Sequence, residues 1–202
     1  MAEIQTAGTV SAVCSPLQPT LASHLSRQTA LVIGASAFVA VCAHLSVPLL
    51  FTPVPLTMQN FAVLVVGMFL APAPAFAALA LYLIEGASGL PVFTPHGGAG
   101  LLHLLGPSGG FLLAYPFVAA GASMLSRRIR PASFTTYAFS AAAASVFLYL
   151  CGAAWFTVLS HLSLAATLKM TVLPFLPGDA LKVITAAGIV SATTKFRRRI
   201  GA

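Results

Sequence analysis

In the segment Leu173-Pro-Phe-Leu-Pro-Gly-Asp-Ala-Leu-Lys182, a carboxylate and an ammonium lie three residues apart in an otherwise apolar stretch. That spacing puts Asp179 and Lys182 on one face of a helix. Pro177 and Gly178 predict a turn just before them, which makes Asp179 the N-cap. Charges at the start of an apolar helix are costly to hold, and such positions usually serve function. One reading is a ligand pair: Asp179 accepts N–H donors, while Lys182 and the helix N-terminus attract a carbonyl oxygen or an anion. The other is a cap followed by a lysine that snorkels to an interface.

Other candidates are sparser. Gln59 is an amide at the start of an apolar segment, and Tyr82, Phe93, Tyr115 and Trp155 are aromatics beside unusual loops. Each can wall a ligand site, fill a core or join an aromatic belt. Glu85 reads chiefly as structural, bonding a loop amide or pairing with Lys169. The five histidines show no HxxH, HExxH or HxE spacing, so no metal site is expected. Gly106-Pro-Ser-Gly-Gly110 contains a G-x-S-G core similar to the serine motif of rhomboid intramembrane proteases, with Ser108 as the nucleophile. That chemistry needs a general base within hydrogen-bond reach, and the last apolar segment holds no histidine to supply one. Ser108 therefore reads as a turn or capping hydroxyl, and the chain as a protein without enzymatic activity. No GxxxxGKS or GxxxxGKT sequence occurs, so ATP hydrolysis by a P-loop is excluded and active transport would draw its energy from elsewhere. Cys14, Cys42 and Cys151 are far apart and read as small buried hydrophobes or free thiols.

These side chains need a lipid surrounding. Of 202 residues, 58% are hydrophobic and 6% charged, against about 25% charged in soluble domains. No Asp, Glu, Lys or Arg falls between Arg27 and Glu85, between Glu85 and Arg127, or between Arg130 and Lys169. A hydrocarbon core of about 30 Å takes about 20 helical residues. Proline, glycine and charge divide the chain into six apolar segments, 29–51, 57–70, 74–86, 109–125, 134–161 and 178–194, the second and third of them short for a straight span. The expected fold class is an all-α integral membrane protein with six transmembrane helices. Residues 86–110 hold eight glycines and three prolines but no charge. A Gly-rich outer loop between helices 3 and 4 is predicted there, forming part of a site, because irregular backbone at membrane depth must be buried or line a cavity. Residues 1–26 read as a mobile cytoplasmic tail, and 27–202 as a single six-helix domain.

The net charge of +7 does not point to nucleic acid. Arg27, the run Arg127, Arg128 and Arg130, and the run Lys195, Arg197, Arg198 and Arg199 each border an apolar segment, without the aromatic and glycine partners of a nucleic-acid surface. With six spans these clusters share one side, the cytoplasm, together with both termini. Loops 51–57, 86–110 and 160–178 then share the outer face.

Five stretches, taken in order and spacing, resemble one family. Pro53-Val-Pro-Leu-Thr-Met-Gln59, Tyr82-Leu-Ile-Glu-Gly-Ala-Ser-Gly-Leu-Pro-Val-Phe93, Gly97-Gly-Ala-Gly100, Gly106-Pro-Ser-Gly-Gly110 and Pro174-Phe-Leu-Pro-Gly-Asp-Ala-Leu-Lys182 are similar to BioY proteins, the biotin-binding S components of energy-coupling-factor (ECF) transporters. The resemblance covers about residues 27 to 195. It implies capture of biotin at the outer face of a bacterial plasma membrane. It also implies assembly with a transmembrane coupling subunit and two ATPase subunits, and no cofactor. It carries a ligand role onto Asp179 and Lys182, and extends the candidate site to Gln59, Tyr82, Phe93, Gly97, Gly98, Tyr115 and Trp155. Biotin's ureido ring offers two N–H donors and one carbonyl, which suit an acceptor beside a cation. S components pack an A-x-x-x-A pattern of the first helix against the coupling subunit. Here Ala30 with Gly34, and Ser36 with Ala40, are the nearest matches and the expected partner surface. The alternatives are an S component for another vitamin-like molecule, or an intramembrane serine hydrolase.

Overall fold

The structure, a computed structural model, describes residues 21–50, 52–95 and 100–201. These form α1 (Leu21–His44), β1 (Ser46–Val47), β2 (Leu56–Thr57), α2 (Gln59–Phe69), α3 (Pro72–Ala87), α4 (Leu101–Leu105), α5 (Gly109–Arg128), α6 (Phe134–Ser160), α7 (Leu164–Thr171) and α8 (Leu176–Ile200). Helix α1 starts at Leu21, inside the stretch read as a tail; the rest of that stretch, 1–20, lies outside the described residues.

Helix boundaries follow local chemistry. Helix α3 opens on Pro72, whose missing N–H would have had no partner in the first turn. Ser133 and Ser163 cap α6 and α7, each hydroxyl accepting from a backbone N–H at 3.3 Å. Helix α6 ends where His161 turns left-handed at φ 55°. The loop expected at 160–178 therefore contains α7, and the Gly-rich stretch contains the single turn α4.

Among the described residues, three helices are long and apolar enough to cross a membrane: Leu25–His44, Gly109–Arg128 and Phe134–Ser160. Helices α7 and α8, bent by 54° at a short break, qualify together as a broken fourth span. At 11 and 16 residues, α2 and α3 reach only about 16 and 24 Å at 1.5 Å per residue. The molecule is a mostly helical, multi-pass membrane protein, but not a set of six regular spans.

Packing runs opposite to that of a soluble domain. The interior is rich in alanine, with Ala62, Ala75, Ala78, Ala119, Ala122, Ala141, Ala186 and Ala187 all at 0% exposure. Phe117, Phe139, Leu150 and Ile184 face outward. Small residues let backbones approach where lipid removes the hydrophobic incentive for helices to associate. At the crossing of α2 and α5, a Cβ on Gly67 would come within 2.6 Å of the Ala119 carbonyl oxygen, an atom of fixed backbone. Gly67→Val is expected to lower the thermal unfolding midpoint in detergent, at a cost of about 1–3 kcal/mol for overpacking. Gly188→Ala, where the added methyl meets open space, leaves the midpoint unchanged or raised.

The antiparallel pair β1–β2 joins the end of α1 to the start of α2. Ser46 pairs with Thr57 and Val47 with Leu56, and the Met58 N–H donates to the Leu45 carbonyl at 3.0 Å. This clasp fixes where α2 begins, and so where Gln59 and Asn60 point.

Candidate functional site

The beginnings of α2, α5 and α8 converge with the middle of α6 on a pocket. Its lining includes Gln59, Asn60, His103, Ser108, Phe111, Tyr115, Leu148, Tyr149, Thr171, Phe175, Asp179 and Lys182. The space not filled by protein atoms, counted out to the open mouth, is about 560 Å³.

Asp179 is the hub. Helix α8 begins at Leu176 with Pro177 tolerated in its first turn, so Asp179 lies inside that turn rather than at the N-cap expected from sequence. Phe175 occupies the cap position, and the Asp179 N–H already donates to its carbonyl at 2.8 Å. The carboxylate is thereby free of the helix end. Its Oδ1 accepts from Lys182 Nζ at 2.6 Å, and its Oδ2 from Asn60 Nδ2 at 2.8 Å and the Tyr149 hydroxyl at 2.6 Å. Asp179 and Lys182 are only 7% and 8% exposed, so the lysine does not snorkel. A buried ion pair survives only where geometry and added hydrogen bonds offset the loss of water, and these three donors supply that.

Asn60 presents the complementary feature. Its Nδ2 must face Asp179, because the reverse flip would set two oxygens against each other. Its Oδ1 then points away, buried and without a hydrogen-bond partner among the described residues. Native structures seldom leave such an acceptor unpaired. Asn60 thus brings an unpaired acceptor to the lining of the pocket, next to an ammonium and a carboxylate.

The other predicted residues divide into several groups. Gln59 and Tyr115 line the pocket. Tyr82 lies behind Gln59, fully buried; its hydroxyl accepts from Gln59 Nε2 at 2.6 Å and donates to the Val92 carbonyl at 3.0 Å. Phe93 packs edge-on to Tyr82 and stacks on His103 at 5.1 Å. These two position the wall rather than form it. Gly97 and Gly98 lie outside the described residues.

Trp155 lies apart from the lining of this pocket. It faces a lipid-side groove with Phe117 and Phe147, and its indole N–H donates to the Gly106 carbonyl at 3.0 Å. Tyr149 takes the place on α6 that Trp155 was expected to fill, because six residues turn a helix by about 240°. Ser108 also differs from expectation. It lines the pocket and makes no side-chain cap bond. His103 Nε2 lies 3.4 Å from Thr94 Oγ1.

The expected partner surface splits as well. Ala30 and Gly34 are exposed, Ala40 is half-buried, and Ser36 is fully buried, donating to Glu85 Oε2 at 2.5 Å. Glu85 therefore bonds Ser36 rather than Lys169. The exposed small-residue stripe runs instead through Ala30, Gly34 and Ala37.

Comparison with known proteins adds three findings. The sequence model described as the BioY family matches residues 13–199. Among curated relatives, the biotin transporter BioY of Thermotoga maritima is 32% identical over 80% of this chain and 92% of its own length. The biotin transporter BioY2 of Lactococcus lactis is 31% identical over 77% and 83%. Among solved structures, the crystal structure at 2.1 Å of the S-component for biotin from an ECF-type ABC transporter superposes with a TM-score of 0.79. That pair shares 25% identity over 87% of this chain and 95% of the other.

Proposed function

The chain belongs to the BioY family, and from that premise we propose that it is a biotin transporter, the biotin-binding S component of an ECF system, with the ligand held in the pocket around Asp179. The observation that carries the site is the unpaired Asn60 Oδ1 beside the Asp179–Lys182 pair. A ureido ring has two N–H donors and one carbonyl. Asn60 Oδ1 accepts one N–H, a remaining lone pair of Asp179 accepts the other, and Lys182 donates to the carbonyl. Phe111, Tyr115 and Tyr149 give the thioether ring apolar and aromatic surface, and the aliphatic tail leads toward the mouth.

In this reading the chain crosses the bacterial plasma membrane six times. The short α2 and α3 complete their crossings with flanking loop, and the bent α7–α8 counts as one. Both termini and all three basic clusters lie in the cytoplasm, with the pocket opening outward. A transmembrane coupling subunit and two ATPase subunits supply the energy that a chain without a nucleotide motif cannot generate. Transport, not catalysis, uses the pocket, and no cofactor takes part.

Labelled biotin should bind the purified protein in nanodiscs with saturable affinity, and other vitamins should fail to compete. Asn60→Leu removes the open acceptor while leaving Asp179 its two other donors. Affinity should fall about ten- to hundredfold, the range for leaving a buried hydrogen-bonding group of the ligand unpaired. No binding by the wild-type protein would overturn the biotin reading; undiminished binding by Asn60→Leu would overturn only this placement of the ureido ring.

A further inference from the structure

The helices that open on the pocket close on a second cavity at the other end of the bundle. Helices α2, α5 and α8 each give their first residues to the pocket and their last to this cavity. The space not filled by protein atoms, counted out to its open mouth, is about 510 Å³, and its polar lining is Ser126, Arg127, Tyr137, Thr193, Thr194 and Arg197.

Arg127 is held in place. Its Nε donates to Ser123 Oγ at 3.3 Å and its Nη2 to the Phe69 carbonyl, in the last turn of α2, at 3.4 Å. Three of its five N–H donors remain available. The side chain of Arg197, from α8, makes no hydrogen bond or ion pair among the described residues. Tyr137 and Thr194 stiffen the wall between them, their hydroxyl oxygens 3.2 Å apart.

Arg127 and Arg197, both exposed, line one cavity and together attract an anion, and the chain has almost none to offer. It contains three acids. Asp179 is engaged by Lys182, Glu85 by Ser36, both away from this cavity, and Glu3 lies outside the described residues. A forked, permanently charged guanidinium matches phosphate oxygens two at a time. The cavity lies where the apolar helices α5 and α8 end in basic residues.

We propose that this cavity is a phosphate-binding site in which Arg127 and Arg197 clamp one phosphate group. The group belongs to an anionic phospholipid or to a free phosphate, and two measurements separate these sources. In the first, the protein is exchanged from an equimolar mixture of phosphatidylglycerol and phosphatidylcholine into detergent, and retained lipid is counted by native mass spectrometry. In the second, inorganic phosphate is titrated against chloride at equal ionic strength on delipidated protein, with thermal unfolding as the readout.

A lipid source gives about tenfold preferential retention of phosphatidylglycerol in the wild type and near parity in Arg197→Gln. A free source gives a phosphate-dependent rise in the unfolding midpoint that Arg197→Gln loses. Either result supports the site. Arg199→Gln, which alters a base outside the cavity, should behave as wild type in both. Arg197 makes no bond that the fold depends on, and unchanged biotin binding verifies that its variant is folded. The proposal is overturned if neither measurement responds, or if Arg199→Gln loses as much as Arg197→Gln. It is equally overturned if Arg197→Gln affects only uptake in cells, since the arginine then meets a protein carboxylate instead.

Discussion

Asp179→Ala is expected to abolish measurable biotin binding and to lower unfolding stability by roughly 3–5 kcal/mol, the usual cost of removing one member of a buried ion pair. The carboxylate receives Lys182, Asn60 and Tyr149 together. Without it, an ammonium only 8% exposed has no counter-charge, and Asn60 loses the contact that orients its open oxygen. Equilibrium unfolding in detergent and labelled-biotin binding measure the two losses separately. Asp179→Leu combined with Lys182→Met distinguishes them further. Replacing the whole pair with apolar side chains should restore stability to within about 1 kcal/mol of wild type, because a buried pair contributes little net stability over a packed apolar one. Binding should stay lost. Recovery of binding in that double variant would mean that the pair supports the fold and does not touch the ligand.

Gly34→Leu with Ala37→Leu is expected to eliminate most ATP-driven biotin uptake in cells that supply a coupling module, while leaving biotin affinity unchanged. Both positions lie on the exposed stripe of α1, and a Cβ added at Gly34 meets nothing within 4 Å. The isolated chain therefore accepts the bulk, and a neighbouring helix that must approach closely does not. Ser36→Leu makes the contrast. Ser36 is buried and bonded to Glu85, so this variant should unfold the chain and lose binding and uptake together. Normal uptake by the Gly34/Ala37 variant would place the coupling surface on another helix.

The legible parts of this molecule were those where an unfavourable residue had to be accounted for. Long charge-free runs announce lipid, and Asp179 and Lys182 are conspicuous because charge in such surroundings is costly. The same reasoning reaches Asn60, an amide that follows Gln59 in an apolar segment, although only Gln59 was singled out. Tyr149 carried no such signal. A tyrosine in an apolar helix is unremarkable until the helix face is known, and position along the chain does not give the face. For the same reason the sequence does not separate the face of Trp155 from that of Tyr149, or Ser36, about 200° around α1, from Gly34. Helices α4 and α7 were hidden because each is too short for a periodic pattern to form.

The Asp179–Lys182 pair also has an electrical meaning. A membrane voltage does work of about 2.3 kcal/mol per elementary charge per 100 mV on any charge carried across it. Here one positive and one negative group are held 2.6 Å apart on the same turn of one helix. Any displacement of α8 along the field carries both, and the two amounts of work cancel. A shift of α8 along the field therefore moves no net charge through this pair, although each of its members alone would feel the voltage.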